Sequence, residues 1–231
     1  MATRRIRARR GDGALLRDEI LCAAEQLLVE TGTEDALTLR AVAGRAGVST
    51  PSVYLHFADK EALVEAVCLR VWDELGALFA EAAASCDDPF LALGRCGRAY
   101  ARFALDHPVQ YRVLMMRPST GEDAAAACLR HMVGAVAACV ETGVLRGEPE
   151  KLALALWSAV HGCVSLFIAQ PSFPWPDDRE ALIDTVVRAA GFGGAMYSRL
   201  PRDLPPSAEL AEELDEFGAR VTTRTRARAK R

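Results

Sequence analysis

Strand signals are nearly missing from this chain. Alternating runs of β-branched and polar residues do not recur, and aromatics make up only 6% of the residues while alanine is heavily used. That composition excludes a sandwich or barrel and leaves an all-α class. Signatures of catalysis are missing too. There is no GxSxG, no HExxH and no Gly-rich phosphate loop, so nothing in the pattern suggests an enzyme. Seven cysteines stand at 22, 68, 86, 96, 128, 139 and 163. No two have CxxC spacing and none neighbours a histidine at zinc-finger spacing, so neither a metal nor another cofactor is expected. An odd number of scattered cysteines suits reduced thiols in a reducing cytoplasm, the expected location. The Arg-rich N-terminus is not followed by an apolar stretch, so it does not read as a secretory signal.

Half the 231 residues are apolar, enough for a sizeable core. The net charge of −3 taken alone argues against nucleic acid, but its distribution matters more. Residues 1–17 carry six arginines against Asp12, and residues 217–231 carry six basic groups and no acid. Between them, 203–216 carries six acids and no base. One segment, Leu152–Ala169, is almost wholly apolar over 18 residues. A membrane-spanning helix needs about 20, and His161, Gly162, two serines and a central Trp157 weaken that reading. A helix buried on all sides, in a bundle centre or a dimer seam, explains it better, and no membrane partner is expected.

The most informative stretch is 38–60, TLRAVAGRAGVSTPSVYLHFADK. Thr38 can cap a helix whose apolar positions are Leu39, Val42, Ala43 and Ala46. Gly47 can take the positive φ of a tight turn. Ser49 or Thr50 can cap a second helix with Pro51 in its first turn. Val53 and Phe57 turn inward from that helix, and Thr50, Ser52, Tyr54 and His56 form its polar side. Small Ala43, one turn before Gly47, allows the two helices to cross closely. A generic αα-corner would share some of this pattern, but cap, small residue, Gly and Pro all agree with a DNA-reading helix-turn-helix.

This stretch, extended to LTLRAVAGRAGVSTPSVYLHFADKEALVEAV, resembles the N-terminal signature of the TetR family of transcriptional regulators. The likeness covers about residues 14–70. Further on, His107-Pro108 with Tyr111, and Trp157 with His161-Gly162, are similar to the WHG-type C-terminal domain of one TetR subgroup. The resemblance implies a helical DNA-binding head, a C-terminal domain that encloses an effector pocket, and dimerisation through the last two bundle helices.

The remaining pattern is consistent with about nine helices. A basic arm, 1–13, is expected to be disordered off DNA. The helix-turn-helix domain spans 14–62, with its first helix over 14–31 and a buried stripe of Leu16, Ile20, Ala23, Ala24, Leu27 and Leu28. The effector-binding and dimerisation domain spans 63–198. Its helices are expected from about Asp59 to 83, from Pro89 to Asp106, from Pro108 to Met116, and over 122–142. Two more, 149–170 and 178–190, are the candidates for the dimer seam, the second broken by Gly191, Gly193 and Gly194. The charged C-terminal tail, 199–231, allows a short acidic helix near 207–217, with the final basic residues disordered.

Groove contacts divide into reading and positioning. Thr50, Pro51 and Ser52 are best placed for base edges, with Ser49 beside them. Tyr54 and His56 can donate to phosphates, Lys60 offers a point charge, and Thr38 and Arg40 can reach the backbone. The family resemblance supports the phosphate roles of Tyr54, His56 and Lys60. Tyr54 could instead pack with a wet hydroxyl, and His56 could be an ordinary surface histidine. The effector-pocket candidates are Phe79, Phe103, Tyr111, Met115, Trp157 and His161, although such residues more often belong to a core. The expectation is a dimeric repressor of double-stranded DNA, released from an inverted repeat by a hydrophobic small molecule. The alternative is a regulator without an effector, switched by a partner or by cysteine oxidation.

Overall fold

The computed structural model describes residues 12–84, 86–116, 122–201 and 203–228. Among them there are ten α-helices, a short 3-10 turn at Glu34–Ala36, and no strand. The head is formed by α1 (Asp12–Thr31), α2 (Leu39–Ala46) and α3 (Thr50–Tyr54). The long α4 (Lys60–Ala84) runs out of it into α5 (Pro89–Asp106), α6 (Pro108–Met116) and α7 (Glu122–Glu141). The chain continues through α8 (Pro149–Ala169), α9 (Arg179–Tyr197) and α10 (Ser207–Arg228).

Local chemistry explains most of the helix ends. Asp88 caps α5 by accepting from the N–H groups of Phe90 and Leu91 at 3.0 and 2.9 Å, with Pro89 next, where its missing N–H is harmless. Asp59 accepts from Ala62 N–H at 2.8 Å and opens α4. Gly143, at φ 74°, closes α7 in the left-handed region.

One continuous core joins head and bundle. Ile20, Ala24 and Leu28 of α1 pack with Val42, Val53 and Phe57, and through Leu63, Val67 and Leu75 of α4 with Tyr100, Tyr111, Val164 and Ile183. A smaller cluster of Val136, Cys139, Leu145, Leu152 and Ala153 ties α7 to α8. Arg70 of α4 stands 3.3 Å from Glu25 of α1, an ion pair without an aligned hydrogen bond to that oxygen. Burial raises the Glu25 carboxyl above its ordinary value, and Arg70 opposes the shift.

Three expectations need correction. Helix α9 does not break at Gly191 but runs on to Tyr197. Two of its three glycines lie against neighbours: a Cβ at Gly191 would sit 3.4 Å from the Phe90 ring and one at Gly194 3.5 Å from Leu156, while Gly193 faces open space. The packing of α9 on α5 and α8 thus outweighs a helix penalty of ~1 kcal/mol per glycine. Ten helices stand among the described residues, the nine expected and the one allowed near 207–217, but the tenth is no short acidic piece. It extends from Ser207 to Arg228, across much of the segment expected to be a disordered tail. Glu209 in its first turn complements the helix dipole, and Thr222 and Thr223 hydroxyls donate to the carbonyls of Gly218 and Ala219. The basic arm shortens as well, because Asp12 and Gly13 already belong to α1; its residues 1–11 lie outside the described residues.

Candidate nucleic-acid interface and helical cavity

The helix-turn-helix is built by three local devices. Thr38 caps α2, its hydroxyl accepting from Ala41 N–H at 3.1 Å. Gly47 ends α2 at φ 67°, and Val48 N–H reaches the Ala43 carbonyl at 3.0 Å to close the turn. Ser49 then caps α3, accepting from Ser52 N–H at 3.3 Å, while the two serine hydroxyls meet at 2.7 Å. Val53 and Phe57 are buried and fix the roll of α3 about its axis.

That roll decides what faces outward. Thr38, Arg40, Ser49, Pro51 and Tyr54 are exposed, and Thr50, Ser52, His56 and Lys60 are half-buried. Tyr54 is 56% exposed and its neighbour Leu55 84%. Leu55 was not singled out by sequence pattern. It was legible as the residue between two inward positions, Val53 and Phe57, and an apolar side chain there can meet a thymine methyl. Ser49's hydroxyl is engaged within the cap. Arg17 of α1 lies over the Phe57 ring at 5.1 Å, bringing a cation to this surface. Arg45 is turned away, paired with Glu30 and hydrogen-bonded to Gln26.

A cavity of about 440 Å³ opens between α4, α5, α7, α8 and α9. Its wall is mainly apolar: Phe79, Phe90, Met132, Leu156, Trp157, Val160, Val187 and Phe192, with Tyr100. Arg98, Arg188 and His131 are the basic side chains at its lining, with the Cys96 thiol and the Tyr100 ring beside them. Both arginines are turned to Asp184: Arg98 Nε lies 3.4 Å and Arg188 Nη1 3.8 Å from its carboxylate, and Arg98 also donates to Gly94 O at 2.9 Å. Gly97 lets α5 pass close to α9: a Cβ there would stand 3.3 Å from Val187 Cγ2, and the valine would have to give by a few tenths of an ångström.

Of the six pocket candidates, Phe79 and Trp157 line this cavity. Phe103, Tyr111, Met115 and His161 pack outside its wall, within or against the core. Tyr111 and His161 instead join a polar cluster directly behind it. His161 Nδ1 lies 2.8 Å from the Tyr100 hydroxyl and 2.7 Å from that of Tyr111. Ser165 Oγ lies 3.1 Å from the Tyr111 hydroxyl and 3.3 Å from His161 Nε2. Trp157 stacks obliquely on the imidazole, centroids 5.0 Å apart. Burial pushes the His161 pKa down and the Tyr111 pKa up, the latter opposed by its bonds to Ser165 and Tyr100. A neutral imidazole carries one donor and one acceptor nitrogen, so the tyrosine hydroxyls at Nδ1 and the Ser165 hydroxyl at Nε2 meet nitrogens of opposite role. Tyr100, the member that touches both cavity and cluster, carries no spacing signal of its own and was missed.

Known proteins resemble this chain in both halves. A family model described as "Bacterial regulatory proteins, tetR family" matches residues 20–67, and one described as "Tetracyclin repressor-like, C-terminal domain" matches 93–190. An uncharacterized HTH-type transcriptional regulator of Mycobacterium tuberculosis is 33% identical over 156 residues, covering 66% of this chain and 70% of that protein. A protein of unknown function from Rhodococcus sp. RHA1 has a similar structure, with a TM-score of 0.66 and 26% identity over 79% of this chain and 94% of its own. A TetR family transcriptional regulator from Thermus thermophilus shares the fold at a TM-score of 0.55 and 22% identity, covering 74% of this chain and 96% of that one.

Proposed function

The chain belongs to the TetR family of transcriptional regulators, and from that premise we propose that it acts as a two-fold dimeric repressor, released from an inverted-repeat operator by a hydrophobic small molecule. As in the family at large, the chemistry is recognition rather than turnover. DNA reading falls to Thr50, Pro51 and Ser52, with Leu55 beside them. Tyr54, His56, Lys60, Thr38 and Arg40 hold phosphates. Ser49 contributes by capping α3 rather than by direct contact.

The cavity is the observation that carries the effector reading. Its volume and apolar wall suit a drug-sized apolar ligand. The arginines at its edge already share Asp184, so a carboxylate ligand would have to displace that partner. Phe79 of the wall lies on α4, the same helix that begins at Lys60 in the head. A ligand that favours one setting of α4 thereby changes the separation of two heads on DNA.

Dimerisation is assigned to α8 and α9. Helix α8 is the one helix among the described residues long and apolar enough to cross a membrane. Its Leu152, Val160, Val164 and Phe167 are buried in the bundle, whereas Leu154, Ala155, Ala159, Leu166 and Ala169 face outward. On α9, Ala181, Ala189, Phe192 and Gly193 are exposed as well. Two copies packing these faces would bury both stripes, and the small residues allow close approach. A cytoplasmic location follows from a DNA target.

Switching by cysteine oxidation is the weaker alternative. Burial raises the thiol pKa of Cys96, Cys139 and Cys163, that of Cys139 to about 11, which suppresses the reactive thiolate. Selection of bound sequences from a random DNA pool tests the main reading. Enrichment of an inverted repeat, with release on adding apolar compounds, is expected. Sequence-independent binding alone would overturn it.

A further inference from the structure

Helix α10 presents an apolar stripe to solvent. Leu210, Leu214, Phe217 and Val221 recur at alternating spacings of four and three residues, the seam pattern of a two-stranded coil. Leu214 and Phe217 are each 45% exposed and Val221 47%. The charges are polarised along the same helix. Glu209, Glu212, Glu213, Asp215 and Glu216 fill its first half, and Arg220, Arg224, Arg226 and Arg228 its second.

We propose that α10 pairs with α10 of a second copy of this chain, antiparallel, as a contact additional to the α8–α9 seam. The direction follows from charge. Parallel copies would set acidic half against acidic half, whereas antiparallel copies set each acidic half against a basic one. The register follows from the stripe: Leu214 packs opposite Phe217 of the second copy, and Leu210 opposite its Val221. On one flank of that seam Glu213 then faces Arg220 of the second copy, and two-fold symmetry makes the pair twice. On the other flank stand Ala211 and Gly218. A Cβ at Gly218 would meet nothing within 4 Å, so this flank is open to a close-packed helix. Arg220 at present lies 3.6 Å from Glu216 on its own helix, an exposed pair worth little and readily exchanged. A stripe this short pairs weakly between free helices. Two copies already joined elsewhere would hold their α10 helices at high effective concentration.

The full-length Arg220→Lys protein tests the pairing, because a carbodiimide joins a carboxylate and an amine only in contact. The expected result is a covalent dimer on a denaturing gel, whose peptide map links position 213 of one chain to position 220 of the other. Adding Glu213→Gln should abolish that linkage, and Phe217→Asp should do the same by removing the apolar seam. The charge swap Glu213→Lys with Arg220→Glu should restore it, which only an antiparallel register predicts. A sedimenting dimer without the 213–220 linkage overturns the pairing while leaving the α8–α9 seam standing. A monomer overturns both. Loss of DNA affinity on Arg220→Gln without any 213–220 linkage would assign the basic half to nucleic acid and overturn the pairing as well.

Discussion

Tyr111 and His161, fifty residues apart in the chain, meet with the tyrosine hydroxyl 2.7 Å from the imidazole Nδ1. The contact joins α6 to α8, and α6 also packs on α1 of the head and on α4. Through Tyr100 the same imidazole touches the cavity wall. A single polar cluster thus stands between the cavity and the head, enclosed by apolar side chains where each lost partner is felt.

Replacing Tyr111 with Phe removes a hydroxyl that three neighbours share. The expected destabilisation is about 1–2 kcal/mol, or roughly 2–8 °C in Tm for a chain of this size. Calorimetry checks it. An unchanged Tm would mean that water satisfies the cluster equally well.

Stability should fall in mild acid. His161 has a folded pKa below its ordinary value because burial disfavours the charged ring. The unfolded chain therefore takes up the proton first. Stability is complete above about pH 6.5, declines as pH falls toward the lower folded value, and levels off below it. Urea midpoints between pH 8 and 5 should show the decline, and His161→Gln should flatten it. The raised pKa of Glu25 acts in the opposite sense, its contribution fading as pH rises from the unfolded toward the folded value, so comparison with the His161 variant isolates the histidine.

On DNA, Lys60→Ala should weaken binding to every sequence alike and lower the salt slope by about one. Leu55→Ala should instead change the preferred bases, without changing the slope. Binding titrations at several salt concentrations, on the selected operator and on scrambled DNA, separate the two. A Lys60 variant with the original slope would remove that residue from the phosphate contacts.

Filling the cavity should uncouple ligand from DNA. Ala135 lines it on α7. Ala135→Phe is expected to leave operator affinity within about twofold, since the DNA surface lies in another set of helices, while abolishing release by an apolar ligand. Operator affinity with and without ligand, measured by fluorescence anisotropy, is the readout. Ligand release persisting in this variant would place the effector elsewhere.

The helix-turn-helix could be read before any coordinates because its determinants are local. The Thr38 hydroxyl caps a helix through an N–H three residues away, Gly47 supplies a φ that other residues resist, and Ser49 repeats the cap. Asp88-Pro89 was legible for the same reason. Glycines gave the opposite lesson in α9, where Gly191 and Gly194 mark close packing on Phe90 and Leu156 rather than a helix end. A propensity of about 1 kcal/mol per residue signals a break only where no neighbour overrides it.

By itself, then, the order of residues determined an all-helical chain, the caps and turn of its helix-turn-helix, and the inward positions Val53 and Phe57, since each depends on atoms within one or two helical turns. Tertiary structure alone decided which side chains enclose the cavity and which stand behind it. Phe79 faces the space while Tyr111 and His161 turn to Tyr100 and Ser165, a division no periodicity along one helix encodes. It depends on how α4, α5, α7, α8 and α9 approach one another, and those distances are set where side chains from distant parts of the chain meet, as at Gly97 and Val187.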